Sequence, residues 1–286
     1  MMHFDQENGI VIRGLTNRRT TPDVLSHRAS TLFADGLRTP PIAVNGDGAT
    51  LVMPLIPGIT GLKHFAALIQ ATAGWNQLAD AQLDLLMKPM VALHRLPAHN
   101  LQLDEHQPFA RIDARLHARR VRPELLPDLR EARELLGRLT AATAQRQHRH
   151  ATLIHGDYHP SQLILTLPNE CPWLLDLEDL ARGAPEVDLA NLCAYVATNP
   201  SLAAGNPAQT LRHLLRRCAA RYTALGGTIP RAELLHLHAA VTLLRRALKL
   251  EAAGADTASV NGILMLLHDI LADQHLTSGA PHVNHG

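Results

Sequence analysis

The sequence predicts an α+β fold, with a small strand-containing segment, residues 1–56, ahead of a large and mainly helical one, residues 57–286. Two observations lead there. Up to residue 56, short apolar runs alternate with Gly, Pro and Asn turns, whereas from Pro57 onward most apolar residues recur at intervals near 3.6. Residues 152–179 interrupt the helical part, because their apolar runs are bounded by turn residues and read as short buried strands.

In chain order, residues 9–13 (GIVIR) are the first predicted strand. Residues 14–22, with Arg18, Arg19 and Pro22, read as a turn. Thr21-Pro22 opens a helix, Thr as N-cap and Pro at its first position, that runs to Asp35 and stops at Gly36. Residues 41–56 form a hairpin around Asn45-Gly46-Asp47-Gly48, and Pro57-Gly58 ends its second strand. Helices are expected over 62–74 and 78–95, the second kinked or split at Pro89. Residues 98–110 read as loop. Leu126, Leu129, Leu135, Leu136 and Leu139 share one face of an amphipathic helix over 126–145. Beyond the central strands, helices are expected over 187–198, 207–225, 230–253 and 258–275, punctuated by Pro200, Pro207, Gly226-Gly227, Pro230 and Gly254. The polar tail 279–286 is expected to fray.

Composition excludes several classes of function. Hydrophobic residues make up 46% and aromatics only 3%, so the core must be mostly Leu, Ala, Val and Ile. A net charge of +1 leaves no electrostatic footprint for nucleic acid or an anionic membrane. Cys171, Cys193 and Cys218 form no close-spaced pair, which fits a reducing cytoplasm better than a disulfide framework. No apolar run reaches the roughly 18 residues of a membrane span, and the N-terminus has no apolar signal-peptide core. The histidines are scattered, and His148-Arg149-His150 reads as loop rather than metal tract.

The chemistry concentrates in residues 152–191. Thr152-Leu153-Ile154 leads into His155-Gly156-Asp157-Tyr158-His159-Pro160-Ser161-Gln162. Leu163-Ile164-Leu165 follows, then a turn around Pro168 and Asn169, then Trp173-Leu174-Leu175-Asp176. The polar ends of these runs present Asp157, Gln162 and Asp176 together. Taken singly, these are ordinary loop residues. The alternation His155-x-Asp157-x-His159 also has the spacing of metal ligands on one strand face, although Pro160 breaks a strand there.

Taken jointly, the pattern resembles the aminoglycoside phosphotransferase/choline kinase family, relatives of the protein kinases. That family runs H-G-D, four residues, Asn, a strand ending in Asp, then G-x-P and D-L-A. Here the matching positions are His155-Gly156-Asp157, Gln162 in the Asn place, Asp176, Gly183, Pro185 and Asp188-Leu189-Ala190. The resemblance implies a protein-kinase-like two-lobed fold, with residues 1–56 as a shortened small lobe and 57–286 as the large lobe. It implies ATP- and Mg²⁺-dependent phosphorylation of a small-molecule hydroxyl. In that scheme Asp157 accepts the proton of the acceptor hydroxyl, Asp176 holds Mg²⁺, and Gln162 offers an amide oxygen to a second metal. Asp188 would brace the catalytic loop; read from the residues alone, it caps the helix that starts there.

The resemblance extends to the N-terminal part. Residues 9–13 match the strand that carries a phosphate-binding lysine, and Arg13 stands in its place; a plain surface strand residue is the other reading. Residues 53–58 (MPLIPG) match the hinge, whose backbone at Met53 and Leu55 would meet adenine. His27 or Arg28 falls where the family keeps a glutamate. The chain's three lysines, Lys63, Lys88 and Lys249, all lie outside this part. Only eight residues precede Gly9, too few for a Gly-rich hairpin over the phosphates. These departures motivate an alternative, a kinase-fold binding or regulatory protein with little or no catalysis.

On the acceptor side, Leu93-His94-Arg95-Leu96-Pro97 resembles the family's LH-x-x-P ending, and His94 by itself is a helix-end residue. Polycationic aminoglycosides call for an acidic lining, yet residues 201–286 hold five Asp/Glu and eight Lys/Arg. Arg245, Arg246 and Lys249 on one helix read as a solvated face or as a grip on an anionic group.

Overall fold

The computed structural model describes residues 2–5, 9–14, 20–72, 74–97, 101, 103–117, 121–148, 150–166 and 171–277. The α+β class holds. Strand β1 (Met2–Asp5) pairs antiparallel with β2 (Ile10–Gly14), followed by helix α1 (Pro22–Ala34), β3 (Ala43–Val44) and β4 (Thr50–Pro54). These strands form an antiparallel sheet in the order β1-β2-β4-β3. Thr21 caps α1 by accepting from the Val24 N–H, with Pro22 as the first helical residue, as the sequence predicts. Asp47 fixes the β3–β4 turn, its Oδ1 accepting from the N–H groups of Ala49 and Thr50. Strand β1 was not expected; its signal in the sequence is Asn8-Gly9, a hairpin pair, and Gly9 takes a φ of +63°.

The helical part begins with β5 (Ile59–Thr60), α2 (Gly61–Thr72) and α3 (Asp80–Arg95). Pro89 does not split α3. Proline deprives one upstream carbonyl of its helical donor and crowds its neighbours. The carbonyl so deprived is that of Leu85; the next one, of Leu86, accepts the fully buried Tyr158 hydroxyl at 2.7 Å and ties α3 to the loop after β6. A short helix α4 (Ala110–His117), not foreseen, precedes α5 (Leu126–His148).

The centre of the chain folds as β6 (Thr152–Ile154), β7 (Leu163–Leu165), β8 (Trp173–Leu174) and β9 (Ala181–Gly183). Strand β6 pairs with β9, while β7 pairs with both β5 and β8. Then follow α6 (Glu186–Thr198), α7 (Pro207–Ala224), α8 (Ala232–Ala252) and α9 (Thr257–Thr277). Helix α6 is apolar on nearly every face, and such a helix belongs in a core. It is buried between α7 and α8, and α9 packs on α8. Helices α4 and α5 lean on the other side of α8, and α3 joins β6 to α7. The core is mostly Leu and Ala, and one aromatic pair, Phe65 stacked on Trp75 at 5.8 Å, anchors α2. Among the described residues no helix is long and apolar enough to cross a membrane. The turn at Pro168 and Asn169 and the tail 279–286 lie outside the described residues.

Candidate active site

The loop after β6 is shaped by one buried carboxylate. Asp188, in the first turn of α6, is fully buried and accepts from the backbone N–H of His155 at 2.7 Å and of Gly156 at 2.9 Å. His94, at the end of α3, places Nε2 at 3.0 Å from the same carboxylate, and its Nδ1 lies 2.8 Å from the Tyr222 hydroxyl of α7. Burial pushes the Asp188 pKa up, but the hydrogen bonds from His94 and His155 outweigh it and hold it below the ordinary carboxylate value. Helices α3 and α6 thus meet at the loop through the Asp188 carboxylate, and α7 supports His94 through Tyr222. Asp188 braces the loop as the family resemblance implies, and His94 is more than a helix-end residue.

Gly156 is required where it stands. Its φ is +77°, and a Cβ there would lie 2.5 Å from the Asp179 carbonyl oxygen. The buried His155 ring spans the loop: Nδ1 accepts from the Asp157 N–H at 3.3 Å, and Nε2–H donates to the Leu175 carbonyl at 2.8 Å. His155 therefore fixes the distance between the loop and the residue before Asp176.

Asp157 projects from this platform with its side chain 30% exposed. Its Oδ1 accepts from Arg245 of α8 at 2.7 Å, and Arg245 also donates to Asn191. Arg111 of α4 holds Asp179 and comes within 4.0 Å of Asp157 Oδ2. Burial alone would raise the Asp157 pKa, but the cations outweigh it, Arg245 foremost, and hold the carboxyl at about 2. His159 Nε2 lies 3.9 Å from Asp157 Oδ2, and its ring stacks on Tyr195 at 4.3 Å. Burial brings His159 down to about 4, against the pull of Asp157, so the ring is neutral at pH 7.

Gln162 and Asp176 come together across β7 and β8. The Leu175 N–H donates to the Gln162 carbonyl at 2.8 Å, and Gln162 Nε2 donates to Asp176 Oδ2 at 3.1 Å. That orientation leaves the amide oxygen of Gln162 as its remaining polar atom. Asp176 takes φ 62°, ψ 66°, a left-handed conformation unusual for a residue with a Cβ.

Asp157, Gln162 and Asp176 thus lie on one braced unit. Met53 and Arg13 lie in the four-stranded sheet, and Leu55 directly follows its strand β4. Met53 pairs with Val11, and the Leu55 N–H donates to the Gly9 carbonyl at 2.7 Å. Arg13 lies in β2 opposite Met2 and Leu51, and its side chain is outside the described part. Among the described residues no cluster of three or more His, Cys, Asp or Glu is placed to hold a metal, so His155, Asp157 and His159 are not a ligand triad. A cavity of about 130 Å³ opens behind Gly156, bordered by His106, Arg111, Asn191, His238 and Arg245.

Sequence reasoning missed α4 and with it Arg111 and Arg115. The four-residue spacing of these arginines on a short polar segment was the available signal. The reading of Arg245 as a solvated-face residue is also corrected, since Arg245 turns inward onto Asp157.

This architecture, a small antiparallel sheet ahead of a helical body with a braced His-Gly-Asp loop, is that of the protein-kinase-like folds. The sequence profile of the phosphotransferase enzyme family matches residues 36–222, more than half of the chain, and the chain belongs to that family. Solved structures with the same fold include a microcompartment-associated aminopropanol kinase (TM-score 0.63, 15% identity, covering 97% of this chain and 89% of that one). They also include the choline kinase LicA from Streptococcus pneumoniae (TM-score 0.61, 14% identity, covering 95% and 89%). An aminoglycoside phosphotransferase from Streptomyces rimosus, solved with ADP and streptomycin, is similar over 82% of this chain and 88% of its own (TM-score 0.56, 22% identity). No curated protein sequence matches the chain.

Proposed function

We propose that this protein transfers the γ-phosphoryl group of ATP to an alcohol hydroxyl of a small molecule. The observation that carries the reading is the loop after β6, whose backbone buried Asp188 holds and from which Asp157 projects, with Gln162 hydrogen-bonded to Asp176 across β7 and β8. Phosphoryl transfer asks a protein mainly for positioning and charge neutralisation, and a loop so clamped supplies positioning. Asp157 takes the proton from the acceptor hydroxyl; the freed oxygen attacks the γ-phosphorus, the bond to the β-phosphate oxygen breaks, and ADP leaves. The acids and amide present are hard oxygen donors, which fits Mg²⁺. Asp176 and the Gln162 amide oxygen would hold it, and the ion would neutralise charge on the nucleotide phosphates. Arg13 and the hinge at Met53 and Leu55 form the nucleotide side, with the Leu55 carbonyl rather than its N–H facing a base. Residues 1–56 act as the small lobe and 57–286 as the large one, and an ATP-dependent activity of this kind belongs in the cytoplasm.

One observation favours the second reading, a kinase-fold binding protein: Asp157 is engaged by Arg245 and is a weak base at a pKa of about 2. Transfer of labelled γ-phosphate over an acceptor panel separates the two. Asp157→Asn is expected to lower turnover roughly a hundredfold or more, while calorimetry shows Mg-ATP binding retained. Equal transfer by wild type and variant would remove Asp157 from the reaction. Absence of transfer by the wild type to every acceptor, with Mg-ATP still bound, would favour the binding protein.

A further inference from the structure

Helices α4 and α8 pack against each other and carry arginines onto the same ground. On α4, Arg111 and Arg115 are four residues apart and share a face; on α8, Arg245 and Lys249 do the same. Like charges at that spacing repel, so neither helix gains stability from them. Arg111 is matched by Asp179 and Arg245 by Asp157. Among the described residues no carboxylate matches Arg115 or Arg246. The Nη1 of Arg115 and the Nε of Arg246 are buried with no hydrogen-bond partner, and buried donors of this kind ordinarily have one. Burial, then Arg245 and Arg111, all work against the charge on Arg115. Arg246 lies over the Tyr195 ring at 4.8 Å, and that ring stacks on His159, the neighbour of Asp157. The charge of Asp157 acts on both Arg115 and Arg246, so the unmatched donors lie on the side of the carboxylate proposed to face an acceptor.

The geometry points to an anionic acceptor: a small hydroxylated molecule whose carboxylate or phosphate is gripped by Arg115 and Arg246 beside Arg111 and Arg245, with its hydroxyl at Asp157. The inference rests on the phosphotransferase reading. Guanidinium groups pair with carboxylate and phosphate through their N–H donors; Arg246 Nη2 donates to the Thr198 carbonyl at 3.3 Å, which leaves its Nε, and the Nη1 of Arg115, to give. A cationic amino alcohol or aminoglycoside would meet repulsion on this wall. Binding an anion also gives Arg245 a partner beyond Asp157 and Asn191 and loosens its hold on Asp157, so that the base is freed when the acceptor arrives.

The test is calorimetric titration of the full chain, in chloride-free buffer, with D-glycerate and with glycerol 3-phosphate, alongside choline and ethanolamine. Saturable binding of at least one of the anions is expected, and comparison of the two tells carboxylate from phosphate. Arg115→Gln and, separately, Arg246→Gln should each weaken it roughly tenfold to a hundredfold, the loss of a charge-assisted hydrogen bond. Thermal unfolding of both variants shows whether they are folded, and one folded variant is enough. Binding and phosphorylation of choline or ethanolamine with no anion bound would overturn the inference and leave the phosphotransferase reading standing. An anion that binds through these arginines but takes no phosphate from ATP would overturn that reading and leave the anion site. If neither anion saturates, or if the variants weaken ATP and leave the anion untouched, the wall does not serve the acceptor.

Discussion

Arg245 reaches across from α8 to place its guanidinium 2.7 Å from Asp157 Oδ1, so the carboxylate proposed as the base is held in an ion pair before any acceptor is present. The contact orders the carboxylate and lowers its proton affinity in the same stroke.

Removing that cation has a signed consequence. Arg245→Gln takes away the foremost influence that lowers the Asp157 pKa, and burial, which raises it, remains. The carboxyl then protonates at higher pH. The acid limb of kcat/KM should move upward by roughly one to two pH units. A pH–rate profile of the variant checks this, and an unmoved limb would show that another group controls it.

Asp188 is the structural counterpart. Asp188→Ala leaves the His155 and Gly156 N–H groups and the His94 ring without their buried acceptor. The expected loss is about 3 kcal/mol, in the range for breaking a buried charged network by removing one partner. Urea unfolding at pH 7 measures it, and turnover should fall with it because the loop no longer has a fixed shape.

His238 makes stability acid-sensitive. It is 3% exposed in α8, and burial, then His106 and Arg231, hold its pKa at about 3. A histidine in the unfolded chain titrates near 6.5. The unfolded state therefore takes the proton first as pH falls, so the contribution of neutral His238 is whole above about 6.5 and is lost progressively toward pH 3. The linkage amounts to about 2 kcal/mol by pH 5. Comparing urea midpoints at pH 7 and pH 5 for wild type and His238→Leu shows it; the variant should lose less on acidification.

The elements with long periodic faces were legible in the sequence. Helix α1 announced itself through Thr21-Pro22, and α5 to α9 through spacing and breakers. The loop at 155–162 was legible because its chemistry requires particular residues at particular intervals. What escaped was short or distant. Helix α4 has eight residues, half of them polar, and is ordered by packing on α8 rather than by its own propensity. Pro89 signalled a break, but α3 runs through it, packed on β6 and α7, which are far along the chain. Arg245 looked like a surface cation because no local pattern records a partner 88 residues away.

Asp176 has one further consequence. It is the only residue other than glycine with a positive φ among the described residues. The left-handed conformation costs an L-residue roughly 1–2 kcal/mol, a cost glycine escapes. Asp176→Gly should therefore fold at least as firmly as the wild type while losing phosphoryl transfer, and a denaturation midpoint well below wild type would contradict this. If it holds, selection for durability alone would have emptied this position of its carboxylate, and the acid there records a demand that folding never made.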